Sequence, residues 1–204
     1  MVERVRQEAR QEREETGPAG PRRPVRRDFR AETANELWLT DISEHPTGEG
    51  KLYLCAVKDV FSNRIVGYSI SDRMKARLAV DALDSAVARR MVEGAEVAGC
   101  VVHSDRGSQF RSRKFLAALR RHDLTGSMGQ VASAGDNAAM ESFFGLLQNN
   151  VLDRQRWATR QQLRIAIITW IERTYHRRRR QPRLGRLTPI EYETIMTTHQ
   201  AQAA

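Results

Sequence analysis

Two periodicities of hydrophobic residues divide the chain into strands and helices. The stretches 36–43, 51–61 and 64–71 are rich in β-branched and aromatic residues and are predicted to be strands. A short turn between the last two favours a hairpin, so the three strands should form an antiparallel meander. Residues 76–92 place apolar side chains at helical spacing, and residues 97–103 then predict a fourth strand. A helical crossover of this kind makes the fourth strand parallel to an earlier one.

The second half of the chain is predicted to be mainly helical. Residues 112–122 and 159–176 have helical periodicity, and Pro182 should end the longer helix. A short edge strand is predicted at residues 124–128. Thr188 followed by Pro189 is typical of a helix start and predicts a final short helix.

Three acidic residues interrupt apolar patterns, where an unpaired carboxylate is costly to bury. Asp41 follows Trp38-Leu39-Thr40 in a strand that is apolar on both faces, which is typical of a central strand. Asp105 lies where the fourth strand should end, before Gly107, and ligands in α/β folds bind at strand ends. Glu141 opens a helix whose other face carries Phe143 and Leu147, and 35 residues separate it from Asp105.

Composition adds a preference for an anionic partner. The 204 residues include 34 Lys and Arg against 25 Asp and Glu, a net charge of +9, and the pI is about 10.3. Arginine supplies most of this excess and binds phosphate well, although an arginine-biased genome would give the same count. Cys55 and Cys100 lie in apolar patterns without a C-x-x-C spacing, which disfavours a zinc site or disulfide. No apolar run approaches the ~18 residues of a membrane span.

Several motifs together resemble the retroviral-type integrase core of bacterial insertion-sequence transposases, in the version encoded by the second reading frame of the element. The resemblance covers roughly residues 28–195 and depends on their order and spacing. The matching motifs are Trp38-Leu39-Thr40-Asp41-Ile42, Ala56-Val57-Lys58-Asp59-Val60-Phe61-Ser62, Ile65-Val66-Gly67, His103-Ser104-Asp105-Arg106-Gly107-Ser108-Gln109-Phe110, Asp136-Asn137-Ala138-Ala139-Met140-Glu141-Ser142-Phe143-Phe144, Tyr175-His176-Arg177-Arg178-Arg179-Arg180 and Leu187-Thr188-Pro189-Ile190-Glu191-Tyr192.

This resemblance implies an α/β, ribonuclease-H-like fold: a mixed five-stranded sheet, three strands antiparallel and the others parallel, flanked by helices. It implies that Asp41, Asp105 and Glu141 are both the catalytic triad and the ligands of two Mg²⁺ (or Mn²⁺) ions. The expected domains are a charged tail and linker at 1–30, the integrase catalytic core at 31–156, and a basic helical extension at 157–204. The tail is either a solvated segment or a basic arm that follows a DNA backbone.

The implied activity is metal-dependent cleavage of DNA and strand transfer, by a homo-oligomer acting on element ends and a target in the bacterial cytoplasm, at the nucleoid when bound to DNA. A helix-turn-helix region expected ahead of the core is not found, so a separate helix-turn-helix protein from an upstream frame is a possible partner. The alternative is a truncated, catalytically silent DNA-binding remnant. A ribonuclease H or structure-specific nuclease would share the fold, but the motifs at residues 175–180 and 187–192 argue against it.

Predicted DNA contacts fall in two groups. Asn137 and Gln148 share one helical face with Glu141. The family often has Lys or Arg where Gln148 stands, so one phosphate contact fewer is expected. The second group is a basic cluster from Arg173 to Arg186, which could also be a simple solvated helix end. Its named members are Arg173, His176, Arg177, Arg178, Arg179 and Arg180.

Overall fold

The computed structural model describes residues 31–129 and 138–203, with side chains described through residue 199 and at residue 202. The strands are β1 (Leu37–Thr47), β2 (Gly50–Asp59), β3 (Ile65–Ser71), β4 (Val101–Ser104) and β5 (Thr125–Met128). The helices are α1 (Ala76–Val92), α2 (Arg113–Arg121), α3 (Ala138–Asn150), α4 (Arg160–Thr169) and α5 (Pro189–Ala203), with a π-helical turn at Trp170–Tyr175 and 3₁₀ turns at Leu152–Arg154 and Pro182–Leu184.

The five strands form one mixed sheet in the order β3-β2-β1-β4-β5. β1, β2 and β3 pair antiparallel, whereas β4 runs parallel to β1 and β5 parallel to β4. This order confirms the predicted meander, the parallel crossover and the edge strand at residues 124–128. The predicted fourth strand was too long, because β4 covers only Val101–Ser104 and Gly99 adopts a positive φ of 79° just before it.

Helices cover both faces of the sheet. On one face α1 and α2 pack against alternate strand residues such as Trp38 and Val57. On the other face α3 and α4 pack against the alternate set, including Leu37 and Leu39. The first four residues of β1 are therefore buried on both faces, as the apolar sequence predicted for a central strand. α1 approaches the sheet closely at Gly67, where a Cβ would lie 2.4 Å from the backbone N of Ala86.

The C-terminal part of the chain belongs to the same core layer as α3. Leu163, Ile167 and Tyr175 pack in the cluster that covers Leu39. The helix start predicted at Thr188 and Pro189 is present, and Glu191 completes a capping box there: Thr188 N donates to the Glu191 side chain at 2.9 Å and Glu191 N to Thr188 Oγ1 at 3.3 Å. α5 extends for 15 residues, so it is longer than the short helix expected.

A buried ion network ties α5 to the hairpin and to α1. Asp59, which is 0% exposed, accepts from Arg90 at 2.9 Å and from the backbone N of Phe61 at 2.9 Å. Arg90 also contacts Glu193 of α5, and Arg64 donates to the same carboxylate at 2.8 Å. Because each charge has an opposite partner, the network can be buried without leaving an isolated ion.

Both cysteines are free and buried, as their apolar surroundings predicted. In the part of the chain that the structure describes, no helix has the length and apolar character needed to cross a bilayer.

Candidate active site and nucleic-acid interface

Asp41 and Asp105 lie on neighbouring parallel strands. The β1–β4 register ends with Thr40 opposite Ser104, so the two carboxylates follow at the next position of each strand. The sequence pattern alone could not choose β1 as the neighbour of β4. The resemblance implied this pairing, and the sheet order confirms it.

Glu141 approaches the same region from α3. Side chains alternate between the faces of a strand, so Asp41 shares the face of Leu37 and Leu39, which pack against the α3 layer. Glu141 lies in the first turn of α3, and α3 contacts β1 directly. The three predicted carboxylates therefore converge on the α3 side of the sheet.

The electrostatics of Asp41 reflect this convergence. Burial raises the pKa of Asp41 from its ordinary 3.8 to about 6, and the negative charges of Asp105 and Glu141 act in the same direction. A hydrogen bond from the backbone N of Ile42 to Asp41 Oδ1, 2.7 Å long, opposes the rise in pKa. A divalent cation would relieve both the burial cost and the mutual repulsion.

Asp105 is held by its own turn. The backbone N of Gly107 donates to Asp105 Oδ1 at 2.9 Å, and a Cβ on Gly107 would lie only 2.9 Å from that oxygen. Glycine therefore leaves room for the Asp105 carboxylate in this turn.

The donor chemistry of this site fits Mg²⁺, which prefers carboxylate oxygens and water. Among residues 31–129 and 138–203, however, no three Asp, Glu, His or Cys side chains are gathered closely enough to hold one ion together. The carboxylates therefore share a region and interact electrostatically without forming a closed cage.

Other residues of the Asp105 motif have structural contacts. His103 is buried, and its Nδ1 lies 3.1 Å from Ser127 Oγ on β5. The Gln109 side chain donates to the backbone carbonyl of Met74 at 3.4 Å. Both side chains therefore hold the Asp105 segment against neighbouring elements.

The predicted DNA contacts have different environments. Asn137 lies outside the described residues. Gln148 is exposed, and its amide donates to the Asp153 carboxylate. Within the basic cluster, Arg179 is half-buried, whereas the exposed arginines are Arg173, Arg177, Arg178 and Arg180.

The prediction that His176 contacts DNA was wrong. The prediction placed its imidazole on the DNA surface, but the side chain is 0% exposed. His176 Nε2 accepts from the backbone N of Ile65 at 3.2 Å, and Nδ1 lies 3.4 Å from Glu172. The cause is the π-helical turn at Trp170–Tyr175, which interrupts the predicted α-helix and directs His176 into the core.

Lys58 was not singled out from the sequence, although it interrupts an apolar strand as Asp41 does. It is 4% exposed, and register places it opposite Leu39 of β1. Its Nζ donates to the carbonyl of Ala139, in the first turn of the helix that carries Glu141, at 2.9 Å. A charged residue of either sign within an apolar run is the sequence signal that could have identified Lys58.

The fold and the position of the acidic residues define a ribonuclease-H-like core of the retroviral integrase type. The catalytic core domain of HTLV-2 integrase, determined in complex with magnesium in a trimeric form, superposes with a TM-score of 0.61. At 16% identity, this likeness covers 80% of the present chain and 99% of the viral core, and it concerns the fold.

Sequence profiles identify the family. Residues 31–134 match an integrase core domain profile, and residues 122–189 match a second profile of the same description. The chain belongs to the integrase core domain family.

Two bacterial transposases are similar over 83% of the chain. Transposase InsF for insertion sequence IS3A of Escherichia coli (strain K12) is 38% identical over 169 residues, and the transposase for insertion sequence element IS629 of Shigella sonnei is 37% identical over 170. The alignment covers 57% and 55% of these relatives respectively, so the chain spans little more than half of their length.

Proposed function

We propose that this protein is a metal-dependent DNA transposase that nicks the ends of an insertion sequence and joins the freed 3′ hydroxyl to a target strand. The observation that carries the proposal is the convergence of Asp41, Asp105 and Glu141 on one side of the sheet, where the two other charges act on the half-buried Asp41. Membership of the integrase core domain family and likeness to two transposases support it.

A hydrolysis followed by a transesterification accounts for the chemistry. In the first, a water oxygen bonds to phosphorus and the bond from phosphorus to the 3′ oxygen breaks, leaving a 3′ hydroxyl and a 5′ phosphate. In the second, that 3′ hydroxyl bonds to a target phosphorus and displaces a target 3′ oxygen. The first step consumes one water and one phosphodiester, and in the second step one phosphodiester forms as one breaks, so neither step needs an energy-supplying cofactor.

The three carboxylates would hold Mg²⁺ or Mn²⁺. Asp41 and Asp105 would share one ion, and Glu141 would help to hold a second. When bound, such ions activate the attacking oxygen and stabilise charge on the phosphate oxygens. The HTLV-2 core, which has the same fold, was determined with magnesium. The half-buried carboxylate of Asp41, which the charges of Asp105 and Glu141 oppose, would be compensated by such a cation.

Assembly and partners are part of the proposal. The chain would act as a homo-oligomer on paired DNA ends, since the structural neighbours include a trimeric integrase core and an intasome. Its substrates would be element ends and target DNA, in the cytoplasm and at the nucleoid. A separate helix-turn-helix protein of the same element would supply end recognition.

A strand-transfer assay tests the chemistry. The full chain is incubated with a labelled, pre-nicked end oligonucleotide of its own element and Mn²⁺. We expect transfer products that disappear in Asp41→Asn, Asp105→Asn and Glu141→Gln. Asp81→Asn, which removes an exposed carboxylate from α1, should leave the products unchanged.

Two outcomes would refute the proposal. Transfer retained in any triad variant would show that the carboxylate concerned is not needed. No product from the wild-type chain, with Mn²⁺ still bound in calorimetry, would indicate a catalytically silent remnant instead.

A further inference from the structure

A cavity of about 390 Å³ lies beside the helix that carries Glu141. One wall is the start of α3, including Ala138, Ala139 and Ser142, and the opposite wall is the segment of residues 179–183. The floor includes Lys58 of β2. Glu141 itself does not line the cavity, so this space is separate from the three carboxylates although the same helix borders both.

Positive charge dominates the lining. Four cationic side chains contribute to it, and none of the lining residues in the described ranges is acidic: the cations are Lys58, Arg179, Arg180 and Arg183. Lys58 is almost fully buried, and the charge of Arg183 acts on it unfavourably. Cations this close repel each other unless an anion lies between them.

The hydrogen-bond donors around the cavity are engaged to different degrees. Arg179 Nε is buried without an acceptor within the described part of the protein. Arg180 is already engaged, by the carbonyl of Arg186 at 3.1 Å and by Glu191 at 3.4 Å. Buried donors without acceptors are rare and costly, but Arg179 Nε has no surface open to the cavity, so it is the concentration of cationic side chains that calls for an oxyanion.

We propose that this cavity holds one phosphate group of a DNA strand that passes the catalytic helix. Arginine forks and an ammonium group match the tetrahedral oxygens of phosphate, and the cavity has room for a phosphate with part of its sugar. The inference rests on the proposed function for the identity of the strand. It adds Lys58 and Arg183 to the DNA-binding residues and assigns them one phosphate.

The position of the cavity gives this phosphate a role in alignment. Ala138, Ala139 and Ser142 face the cavity, whereas Glu141 lies on the neighbouring face of the same helical turn. A strand fixed here would therefore be held against the element that supplies the third carboxylate. Holding the substrate in register with reacting groups contributes strongly to catalysis.

A phosphate-replacement experiment tests the proposal. Binding of the full chain to labelled end oligonucleotides is measured in Ca²⁺, with a single neutral methylphosphonate placed at each position in turn. The variants are Lys58→Met and Arg183→Gln, and the matched control is Arg120→Gln, an exposed arginine at the end of α2. Thermal melts confirm that each variant is folded, and Arg183 is exposed enough for its variant to fold in any case.

We expect each cavity variant to weaken binding about 5- to 10-fold and to lower the salt slope by about one unit, as for loss of one phosphate contact. At one position the methylphosphonate should weaken binding of the wild type. The same substitution should cause no further loss of binding in Lys58→Met. Arg120→Gln should stay close to wild type at every position. Equal sensitivity of wild type and Lys58→Met at all positions would overturn the proposal.

A free anion is the alternative source of the same chemistry. Calorimetry with pyrophosphate would reveal it, and pyrophosphate binding that depends on Lys58, together with unchanged oligonucleotide affinity in both variants, would overturn the assignment to DNA. Binding in Ca²⁺ does not require catalysis. A position-specific methylphosphonate effect with no strand transfer would therefore refute the proposed function while supporting this phosphate site.

Discussion

Replacing Lys58 with Met should stabilise the protein in the absence of DNA, and more so at lower pH. Lys58 is 4% exposed, and burial, together with the charge of Arg183, lowers the pKa of its ammonium from 10.5 to about 7. Met has a similar length and no charge, so it removes the cost of burying the cation and retains the packing.

The size of the effect follows from the two pKa values. Between pH 7 and 10.5 the unfolded chain binds a proton that the folded chain lacks, so the free energy of unfolding of the wild type rises with pH across that window. Below the folded pKa the full penalty applies, and at about 1.4 kcal/mol per pKa unit it reaches about 5 kcal/mol. Loss of the hydrogen bond to the Ala139 carbonyl offsets about 1 kcal/mol.

Urea unfolding at pH 6 and pH 9 measures this difference. We expect Lys58→Met to exceed the wild type by about 3 to 4 kcal/mol at pH 6 and by about 1 kcal/mol at pH 9. Lys51→Met is the matched control, since Lys51 lies on the same strand with 59% of its side chain exposed. Equal stability of Lys58→Met and wild type at both pH values would refute the reasoning, because Lys58 would then carry no burial penalty.

Three further predictions concern the site and its scaffold. Asp41→Asn should raise the melting temperature of the metal-free protein in scanning fluorimetry, because a half-buried charge repelled by Asp105 and Glu141 is lost, and Mg²⁺ should stabilise only the wild type. Arg90→Met should lower the free energy of unfolding in urea by about 3 to 5 kcal/mol, since Asp59 would remain buried and unpaired. In DNA-binding titrations His176→Gln should keep the wild-type affinity, whereas Arg177→Gln should weaken it.

The periodicity of apolar residues was sufficient to predict most strands of the sheet and the helix α1. The strands of the meander are long, and their apolar residues fill both faces, so their positions are clear from the sequence alone. The boundaries 76–92 predicted for the crossover helix agree with α1. The apolar pattern could not predict which strand pairs with β4, because any earlier strand could accept a parallel partner. Only the resemblance favoured β1.

His176 shows a limit of helical periodicity. The prediction extended one α-helix through residue 176, which left the imidazole among exposed arginines. The structure changes to a π-helical turn at Trp170, where each turn contains more residues, so the following side chains rotate around the axis. A pattern that assumes 3.6 residues per turn cannot anticipate that change of phase, and it assigned His176 to the wrong face.

Charged residues show a second limit, because burial depends on partners that are distant in sequence. Arg90 is 2% exposed because Asp59 and Glu193 compensate its charge. Glu193 lies 103 residues further along the chain. Local composition predicts such an arginine to be solvated, and only the tertiary fold brings its partners together.

The buried charges of both signs near α3 have a common structural basis. In the β1–β2 register Asp41 lies opposite Ala56 and Leu39 opposite Lys58, so the carboxylate and the ammonium occupy one face of the same strand pair. Among residues 31–129 and 138–203 neither side chain forms an ion pair, in contrast to the network around Arg90. A substrate that combines divalent cations with a phosphate backbone compensates both charges at once. The protein therefore bears the cost of burying Asp41 and Lys58 in the free state, and we infer that DNA with its metal ions relieves that cost on binding.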